Sequence, residues 1–126
     1  MQIVIGTDIV AIKRIEASLE KFGESFLQRF LSEEEYRQLE PTHTQRIAGF
    51  WAAKEAAAKA LGCGIGKTLG FHDMRIIKRP SGAPHLMFSD TIIRRFGISQ
   101  VSLSVSHDGG FAVAVVAVIL KGGEIT

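Results

Sequence analysis

The alternation of apolar and polar residues predicts strands at both ends of the chain. Residues 2–10 (QIVIGTDIV) are rich in isoleucine and valine and predict a first strand. Apolar residues occupy both of its alternating positions, which predicts that both faces of this strand are covered. Two more strands are predicted at 98–106 and 111–120, joined by a turn at 108–110. The last strand, FAVAVVAVIL, is also apolar at both alternating positions, so its outer face needs cover from a helix or from another subunit.

Helical spacing follows the first strand. Apolar residues recur every three or four positions and predict a helix that stops at Gly23. Ser32 stands three residues before Glu35, which is the pattern of a capping box and predicts a helix running to about Leu39. Pro41 follows as a helix breaker.

The longest predicted helix covers residues 44–61, where alanine and other strong helix formers dominate. Gly62 is placed as its C-cap. Gly62, Gly64 and Gly66 then alternate with other residues, and such a run permits close approach of backbone amides to an anion. Because the glycines follow a helix, they form neither a Walker loop nor a dinucleotide-binding fingerprint. The glycine turn, residues 62–66, is therefore only a weak indication of a phosphate site.

A hairpin is predicted next. Its strands are residues 74–79 and 84–88, and the segment Pro80-Ser81-Gly82-Ala83 forms a plausible turn between them. A short helix is predicted at 89–96. Strands at both ends with helices grouped between them indicate an α+β fold, with a largely antiparallel sheet, a long central helix and shorter helices. We expect a single domain over residues 1–126.

Composition and charge exclude several classes of protein. In 126 residues, 46% are hydrophobic and 22% are charged, which excludes a disordered chain. A net charge of +2 argues against a nucleic-acid partner bound by bulk electrostatics. A single cysteine, Cys63, excludes an intramolecular disulfide framework and a multi-cysteine zinc site. Neither a membrane-spanning stretch nor a signal peptide is evident, so we predict a cytoplasmic protein that acts without a membrane.

Asp8 is the first candidate for chemistry. It shares its set of strand positions with Val4, Gly6 and Val10, and the adjacent residues carry no charge. A carboxylate on a buried strand is costly unless it is paired, hydrogen-bonded or bound to a metal. The alternative is that Asp8 caps the helix that follows the strand.

Glu55 and Lys59 form a second candidate, because residues four apart share one face of a helix. Their neighbours are almost all alanine, and alanine lets a ligand or another backbone come close. The alternative is an ordinary surface ion pair that contributes about 0.3–0.5 kcal/mol.

His107 ends the next-to-last strand. Ser106, His107 and Asp108 superficially offer a nucleophilic triad, but adjacent strand residues point to opposite faces, so Ser106 and His107 cannot act on each other. His107 continues the set of positions that includes Val105. It is therefore either a half-buried histidine or one directed into a site.

Five fragments, in the same order along the chain, resemble those of the holo-acyl-carrier-protein synthases, a family of 4'-phosphopantetheinyl transferases. The resemblance extends over almost the whole chain, and five fragments in order are far more specific than any one alone. The fragments are 5–10 (IGTDIV), 29–35 (RFLSEEE), 52–66 (AAKEAAAKALGCGIG), 81–84 (SGAP) and 101–108 (VSLSVSHD).

The resemblance implies transfer of phosphopantetheine from coenzyme A to a serine of an acyl carrier protein, releasing 3',5'-ADP, in fatty acid biosynthesis. It implies a Mg²⁺ ion held by Asp8 and Glu55, with Lys59 and His107 as further catalytic residues. Lys59 would help with proton transfer or with charge stabilisation near the serine hydroxyl, and Glu55, acting through a metal-bound water, is an alternative base. The residues expected to contact coenzyme A are Arg46, Lys59, Gly62, Gly64, Ile65, Gly66, Ser81, Gly82, Pro84 and His107.

The sequence departs from the family pattern at Phe50. Many relatives carry an arginine there, associated with the nucleotide end of coenzyme A, and Arg46, one turn earlier, is a possible substitute. The resemblance also implies that the carrier protein docks on basic residues of the first helix. The candidates are Lys13, Arg14 and Lys21.

The resemblance further implies a homotrimer with shared active sites. Asp8, Glu55 and Lys59 would come from one subunit and His107 from its neighbour. Two other functions are considered: a non-catalytic module that binds coenzyme A or the carrier protein, and a Mg²⁺-dependent hydrolase of pyrophosphate bonds. The presence of all four residues favours the transferase, since binding alone does not require them.

Overall fold

The computed structural model describes residues 1–39 and 43–122. Pro41, the predicted helix breaker, lies outside the described residues. No helix in those two ranges is long and apolar enough to cross a membrane. The elements are β1 (Gln2–Ala11), α1 (Ile12–Phe22), α2 (Glu24–Phe30), α3 (Glu33–Gln38), α4 (Thr44–Ala60), a 3₁₀ turn (Phe71–Asp73), β2 (Met74–Lys78), β3 (Pro84–Phe88), α5 (Asp90–Phe96), β4 (Ile98–Asp108) and β5 (Phe111–Leu120).

All strand pairs are antiparallel, and they form two sheets. The larger sheet has the order β1-β5-β4, so the last strand lies in the centre, and β2 and β3 form a separate hairpin. The predicted α+β class with an antiparallel sheet and a long central helix is confirmed. The division into two sheets is a feature that the sequence pattern did not predict.

The ends of the elements differ from the predictions by a residue or two. The hairpin strand expected to reach residue 79 ends at Lys78, and the strand expected to end at 106 continues to Asp108. Gly62, with φ of 74°, lies one position beyond the C-cap of α4, which is Leu61. The apolar segment that forms α2 had not been predicted as a separate helix, because Gly23 leaves no loop between it and α1.

The predicted capping box at the start of α3 is confirmed. Ser32 Oγ accepts the amide of Glu35 at 3.1 Å, and the Glu35 carboxylate accepts the amide of Ser32 at 2.9 Å. These two bonds satisfy amide groups that the first turn of a helix leaves without partners.

Helix α4 packs directly on the larger sheet because the contact residues are small. A Cβ atom placed on Gly6 of β1 would overlap the Ala56 carbonyl and the Ala60 amide, so the strand reaches the helix backbone only as glycine. The helix side of this contact is a set of fully or almost fully buried alanines: Ala48, Ala52, Ala53, Ala56, Ala57 and Ala60.

The opposite face of this sheet is apolar and uncovered. Ile3, Ile5 and Ile9 of β1 are between 57% and 64% exposed, and Phe111 and Val115 of β5 are also exposed. The expectation that both faces of β1 are covered is wrong for the single chain. No helix among the described residues packs on this outer sheet face, so a helix of the same chain is not the cover that the sequence required.

A buried ion pair joins the helices to the hairpin. Lys54 of α4 is fully buried, and its Nζ donates to Glu35 Oε1 at 2.8 Å, to the Phe30 carbonyl at 2.6 Å and to the Phe71 carbonyl at 3.3 Å. Glu35 Oε2 accepts the amide of Ile76 in β2 at 2.9 Å. Burial lowers the pKa of the Lys54 amine, and the charge of Glu35 opposes that shift. One pair of charges thus connects α2, α3, α4, the 3₁₀ turn and β2.

We predict that Lys54→Met lowers the free energy of unfolding by about 3–5 kcal/mol, because it leaves the Glu35 carboxylate buried without its partner charge. Denaturation in urea measures this loss. Adding Glu35→Gln to Lys54→Met removes the second charge and is expected to recover part of it.

The matched control is Arg37→Met, which breaks an ion pair with Glu33 on the surface of α3. Exposed pairs contribute little, so this variant is expected to stay within about 0.5 kcal/mol of wild type. Equal losses from the buried and the exposed pair would contradict the structural role assigned to Lys54.

Candidate active site

Asp8, Glu55 and Lys59 form a carboxylate–lysine cluster where β1 crosses α4. Lys59 Nζ donates to Asp8 Oδ1 at 2.9 Å, and the two side chains are 55% and 14% exposed. Asp8 is therefore paired across the fold. It does not cap α1, whose N-cap is Ala11 and has no side-chain bond. Lys59 forms its ion pair with Asp8, so the alternative of an isolated surface pair with Glu55 is wrong.

Glu55 is the member of the cluster whose charged form is disfavoured by its surroundings. Burial raises the pKa of its carboxyl, and the negative charge of Asp8 raises it further. The positive charges of Lys59 and Arg14 act in the opposite direction. Two carboxylates that repel each other in a half-buried position gain stability when a cation lies between them.

The donor set fits a hard divalent cation that is shared with a substrate. Asp8 and Glu55 offer carboxylate oxygens, which Mg²⁺ prefers. In the described residues, no three His, Cys, Asp or Glu side chains lie close enough to hold a metal alone. The protein would therefore supply two side chains, leaving further positions for water and for the oxygens of an anionic substrate.

A cavity of about 240 Å³ lies on the other side of α4, between this helix, the β2–β3 hairpin and β4. Four of the predicted site residues line it: Arg46, Gly82, Pro84 and His107. Lys78 also lines the cavity and adds a second basic side chain. The remaining wall is mainly apolar and includes Phe50, Ala53, Ile76, Leu103 and Val105. An apolar wall with a basic margin suits a ligand that has a flat or aliphatic part and an anionic part.

His107 is held against the first turns of α4. Its Nε2 lies 2.8 Å from the main-chain oxygen of Gln45. It is exposed and lines the cavity, so the alternative of a half-buried structural histidine is wrong.

The carboxylate–lysine cluster and the cavity do not meet within one chain. Glu55 and Phe50 are five residues apart on α4, which places them about 140° apart around the helix at 100° per residue. Asp8 lies on β1 and His107 on β4, with β5 between those strands. Two strand spacings are about 10 Å. The predicted catalytic residues therefore form two separate groups.

The other predicted coenzyme contacts lie outside the cavity. Gly62 and Gly64 adopt φ of 74° and 65°, which favours glycine, and the amide of Gly66 donates to the Leu69 carbonyl at 2.9 Å. Ile65 packs against the core. Ser81 is exposed in the hairpin turn, where its Oγ accepts the amide of Ala83 at 3.4 Å. The glycine turn begins three residues after Lys59, at the same end of α4 as the carboxylate–lysine cluster.

The predicted docking residues lie on α1, at Lys13, Arg14 and Lys21. Arg14 lies near Glu55, as its effect on that pKa shows, and it lines a groove floored by Trp51. Sequence reasoning did not predict this groove, because the aromatic residues that form it come from α1, α2 and α4.

Comparison with known proteins identifies the class to which this fold and its two groups of polar residues belong. The sequence model of the 4'-phosphopantetheinyl transferase superfamily matches residues 4–116, and the chain belongs to this superfamily. A relative from Wolinella succinogenes, named holo-[acyl-carrier-protein] synthase, is 54% identical over 114 residues, which are 90% of this chain and 95% of that protein. A synthase of the same name from Sulfurovum sp. is 50% identical, over 90% of this chain and 94% of that protein.

Solved structures give the same assignment. The crystal structure of holo-[acyl-carrier-protein] synthase from Helicobacter pylori in complex with coenzyme A superposes with a TM-score of 0.88 at 48% identity, covering 91% of this chain and 99% of that one. The synthase from Neisseria meningitidis superposes with a TM-score of 0.83 at 36% identity, covering 92% and 97%. The enzyme is thus a holo-[acyl-carrier-protein] synthase by family.

Two features of the site were missed from the sequence. Lys54 shares a helix face with Ile47, Trp51 and Ala58, so a lysine inside an apolar stripe was the available signal. The second is the contact of the His107 ring with α4. The available signal was Gly49, a glycine within a helix otherwise rich in alanine.

We predict that Asp8→Asn lowers the pKa of Glu55, because a negative neighbour favours the protonated form and this variant removes it. Lys59→Met is expected to raise the same pKa, because it removes a positive neighbour. Titration of ¹³C-labelled glutamate carboxyls by NMR measures both shifts. Glu33→Gln on the surface of α3 is the control and should leave Glu55 unchanged. A Glu55 pKa that Asp8→Asn leaves unchanged would show that the two carboxylates do not interact.

Proposed function

We propose that this protein transfers 4'-phosphopantetheine from coenzyme A to a serine of an apo-acyl carrier protein, using Mg²⁺ and releasing 3',5'-ADP, as a cytoplasmic step of fatty acid biosynthesis. One transferase domain would extend over residues 1–126. The observation that carries the proposal is the pair of carboxylates at Asp8 and Glu55 beside the Lys59 ammonium. The Helicobacter pylori relative, whose structure contains coenzyme A, supports the substrate.

The reaction makes one bond to phosphorus and breaks one. The serine oxygen attacks the phosphorus that carries pantetheine, and the bond from that phosphorus to the bridging oxygen breaks, so 3',5'-ADP departs with the electron pair. A divalent cation bound by Asp8 and Glu55 would neutralise negative charge on the pyrophosphate.

Lys59 and Glu55 have different roles in the reaction. In its bond to Asp8, the Lys59 amine donates as an ammonium group, which has no lone pair to accept a proton. Lys59 therefore stabilises negative charge on the reacting phosphate. Glu55 is then the carboxylate of the cluster that is left to accept the serine proton.

The cavity provides the coenzyme site in this proposal. Arg46 takes the place of the arginine that many relatives carry at position 50 and pairs with the 3'-phosphate, while Phe50 forms apolar wall. Ser81, Gly82 and Pro84 contact the nucleotide, and His107 contacts the pyrophosphate. The glycine turn, with Gly62, Gly64, Ile65 and Gly66, lies along the phosphopantetheine arm.

We further propose a homotrimer, since its interface would explain two observations. The outer sheet face exposes Ile3, Ile5 and Ile9, and leaving such an apolar patch in contact with water is unfavourable. The carboxylate–lysine cluster and the cavity also lie on different sides of α4. Contact between neighbouring subunits completes the site when the cluster of one subunit faces His107 of the next.

The carrier protein is expected to dock beside the carboxylate–lysine cluster. Arg14 lies near Glu55, and Lys13 and Lys21 are on the same helix. Acidic groups on a carrier protein would pair with these side chains and bring its serine toward Glu55.

We predict that Asp8→Asn and Glu55→Gln each abolish detectable transfer, because either change removes a carboxylate that holds the cation. Mass spectrometry of apo-carrier protein incubated with coenzyme A and Mg²⁺ measures the gain of phosphopantetheine. The exposed variant Glu33→Gln is the control and should match wild type. Coenzyme loss without carrier gain would indicate the hydrolase, and binding without either change would indicate the non-catalytic module.

We predict that inactive Glu55→Gln and His107→Ala chains regain activity when they are refolded together. A trimer has three sites, one at each interface. In every mixed trimer, one of these sites joins an intact Glu55 to an intact His107, so about a third of the sites are expected to be active. Refolding Glu55→Gln with the double variant Glu55→Gln/His107→Ala is the control and should stay inactive. A mixture as inactive as its parents, despite mixed trimers in native mass spectrometry, would place both residues in one subunit.

A further inference from the structure

Gly49 lies in the second turn of α4, buried beneath the edge strand β4. A Cβ atom at this position would lie 3.1 Å from Val105 Cγ1 and 3.2 Å from His107 Nε2. Both distances are short for a side-chain carbon, so any larger residue must displace the valine or the imidazole ring. The absence of a side chain here therefore decides where His107 rests.

Gly49 also leaves the Gln45 carbonyl open. In an α-helix this carbonyl accepts the amide of the residue four positions later, which is Gly49 itself. The side chain of that later residue normally points back over the preceding turn and covers the carbonyl. With glycine there, the oxygen accepts a second donor, and His107 Nε2 lies 2.8 Å from it.

This contact fixes the role of each ring nitrogen. A carbonyl oxygen only accepts, so Nε2 of His107 carries the hydrogen in the bond to Gln45. Nδ1 makes no hydrogen bond to any group in residues 1–39 and 43–122. It is therefore the nitrogen left for a ligand of the cavity.

We propose that Gly49 is a positioning residue for His107: it exposes the Gln45 carbonyl, which accepts the Nε2 hydrogen and leaves Nδ1, when it also carries a hydrogen, to donate to a phosphate oxygen of the ligand. The proposal rests on the role of His107 in binding the pyrophosphate of coenzyme A. Gly49 does not touch the reacting atoms. It acts through the orientation of the ring.

The spectroscopic test uses ¹⁵N-histidine-labelled protein without coenzyme A. In wild type, the Nε2 proton of His107 is expected to give a signal protected from exchange with water, because it is bonded against the helix. Gly49→Ala is expected to lose that protection. A signal equally protected in both proteins would overturn the proposal.

The binding test compares the Kd of coenzyme A for wild type, Gly49→Ala, His107→Ala and the double variant by calorimetry. Gly49→Ala is expected to weaken binding about tenfold or more, the scale of a lost hydrogen bond to a charged group. In the His107→Ala background the same change should have no further effect, because the ring through which it acts is gone. Additive losses would overturn the proposal.

Both tests are repeated in the Val105→Ala background, where the new Cβ has room beside the strand but still covers the Gln45 carbonyl. If Gly49→Ala still loses the protection of the Nε2 proton and the affinity for coenzyme A in this background, the proposal is supported. The same background replaces wild type in both tests if Gly49→Ala alone fails to fold. Recovery would show that crowding of Val105 was the cause. If His107→Ala binds coenzyme A as wild type does, the role of His107 in binding fails, while the Nε2 signal still decides whether Gly49 positions the ring.

Discussion

The close contact between β1 and α4 at Gly6 determines where the proposed catalytic side chains of the carboxylate–lysine cluster lie. Because glycine brings the strand against the helix backbone, Asp8, two residues along the same face, comes within 2.9 Å of Lys59. Gly49 makes a similar contact from the helix toward β4 at the other edge of the sheet. Two glycines, one on a strand and one on a helix, thus set the distances on both sides of α4.

The buried Lys54–Glu35 pair fixes the rotation of α4 about its axis. Lys54 points away from the sheet toward α3 and the 3₁₀ turn, where it makes three hydrogen bonds. Glu55 is the next residue, so it lies 100° further around the helix. A fixed direction for Lys54 therefore also fixes Glu55 beside Asp8. Replacement of such a pair by apolar residues can be stabilising, so its value here lies in orientation as much as in stability.

The sequence predicted this fold wherever local rules control it. The capping box at Ser32 and Glu35, the alanine-rich helix and the apolar last strand follow from short-range patterns, and all three are present. Pairing between distant segments is different. The partner of Asp8 is 51 residues away, and a pattern of residue types does not specify which helix residue the strand meets. The family resemblance selected the relevant polar residues, but only the structure shows that they form two groups.

The separation of these groups follows from their positions on α4 and on the two edge strands, and it keeps opposite charges apart. Asp8 and Glu55 are two carboxylates that repel each other beside Lys59, whereas Arg46, Lys78 and His107 line the cavity on the other side of α4. If the two sets faced each other within one chain, they would pair and neutralise each other, as Lys54 and Glu35 do in the core. A site divided over different sides of α4 keeps both sets available for a substrate that carries phosphate groups and arrives with a cation. In the proposed trimer a neighbouring subunit would bring the sets together, and the apolar outer sheet face is the surface that would gain most from that contact.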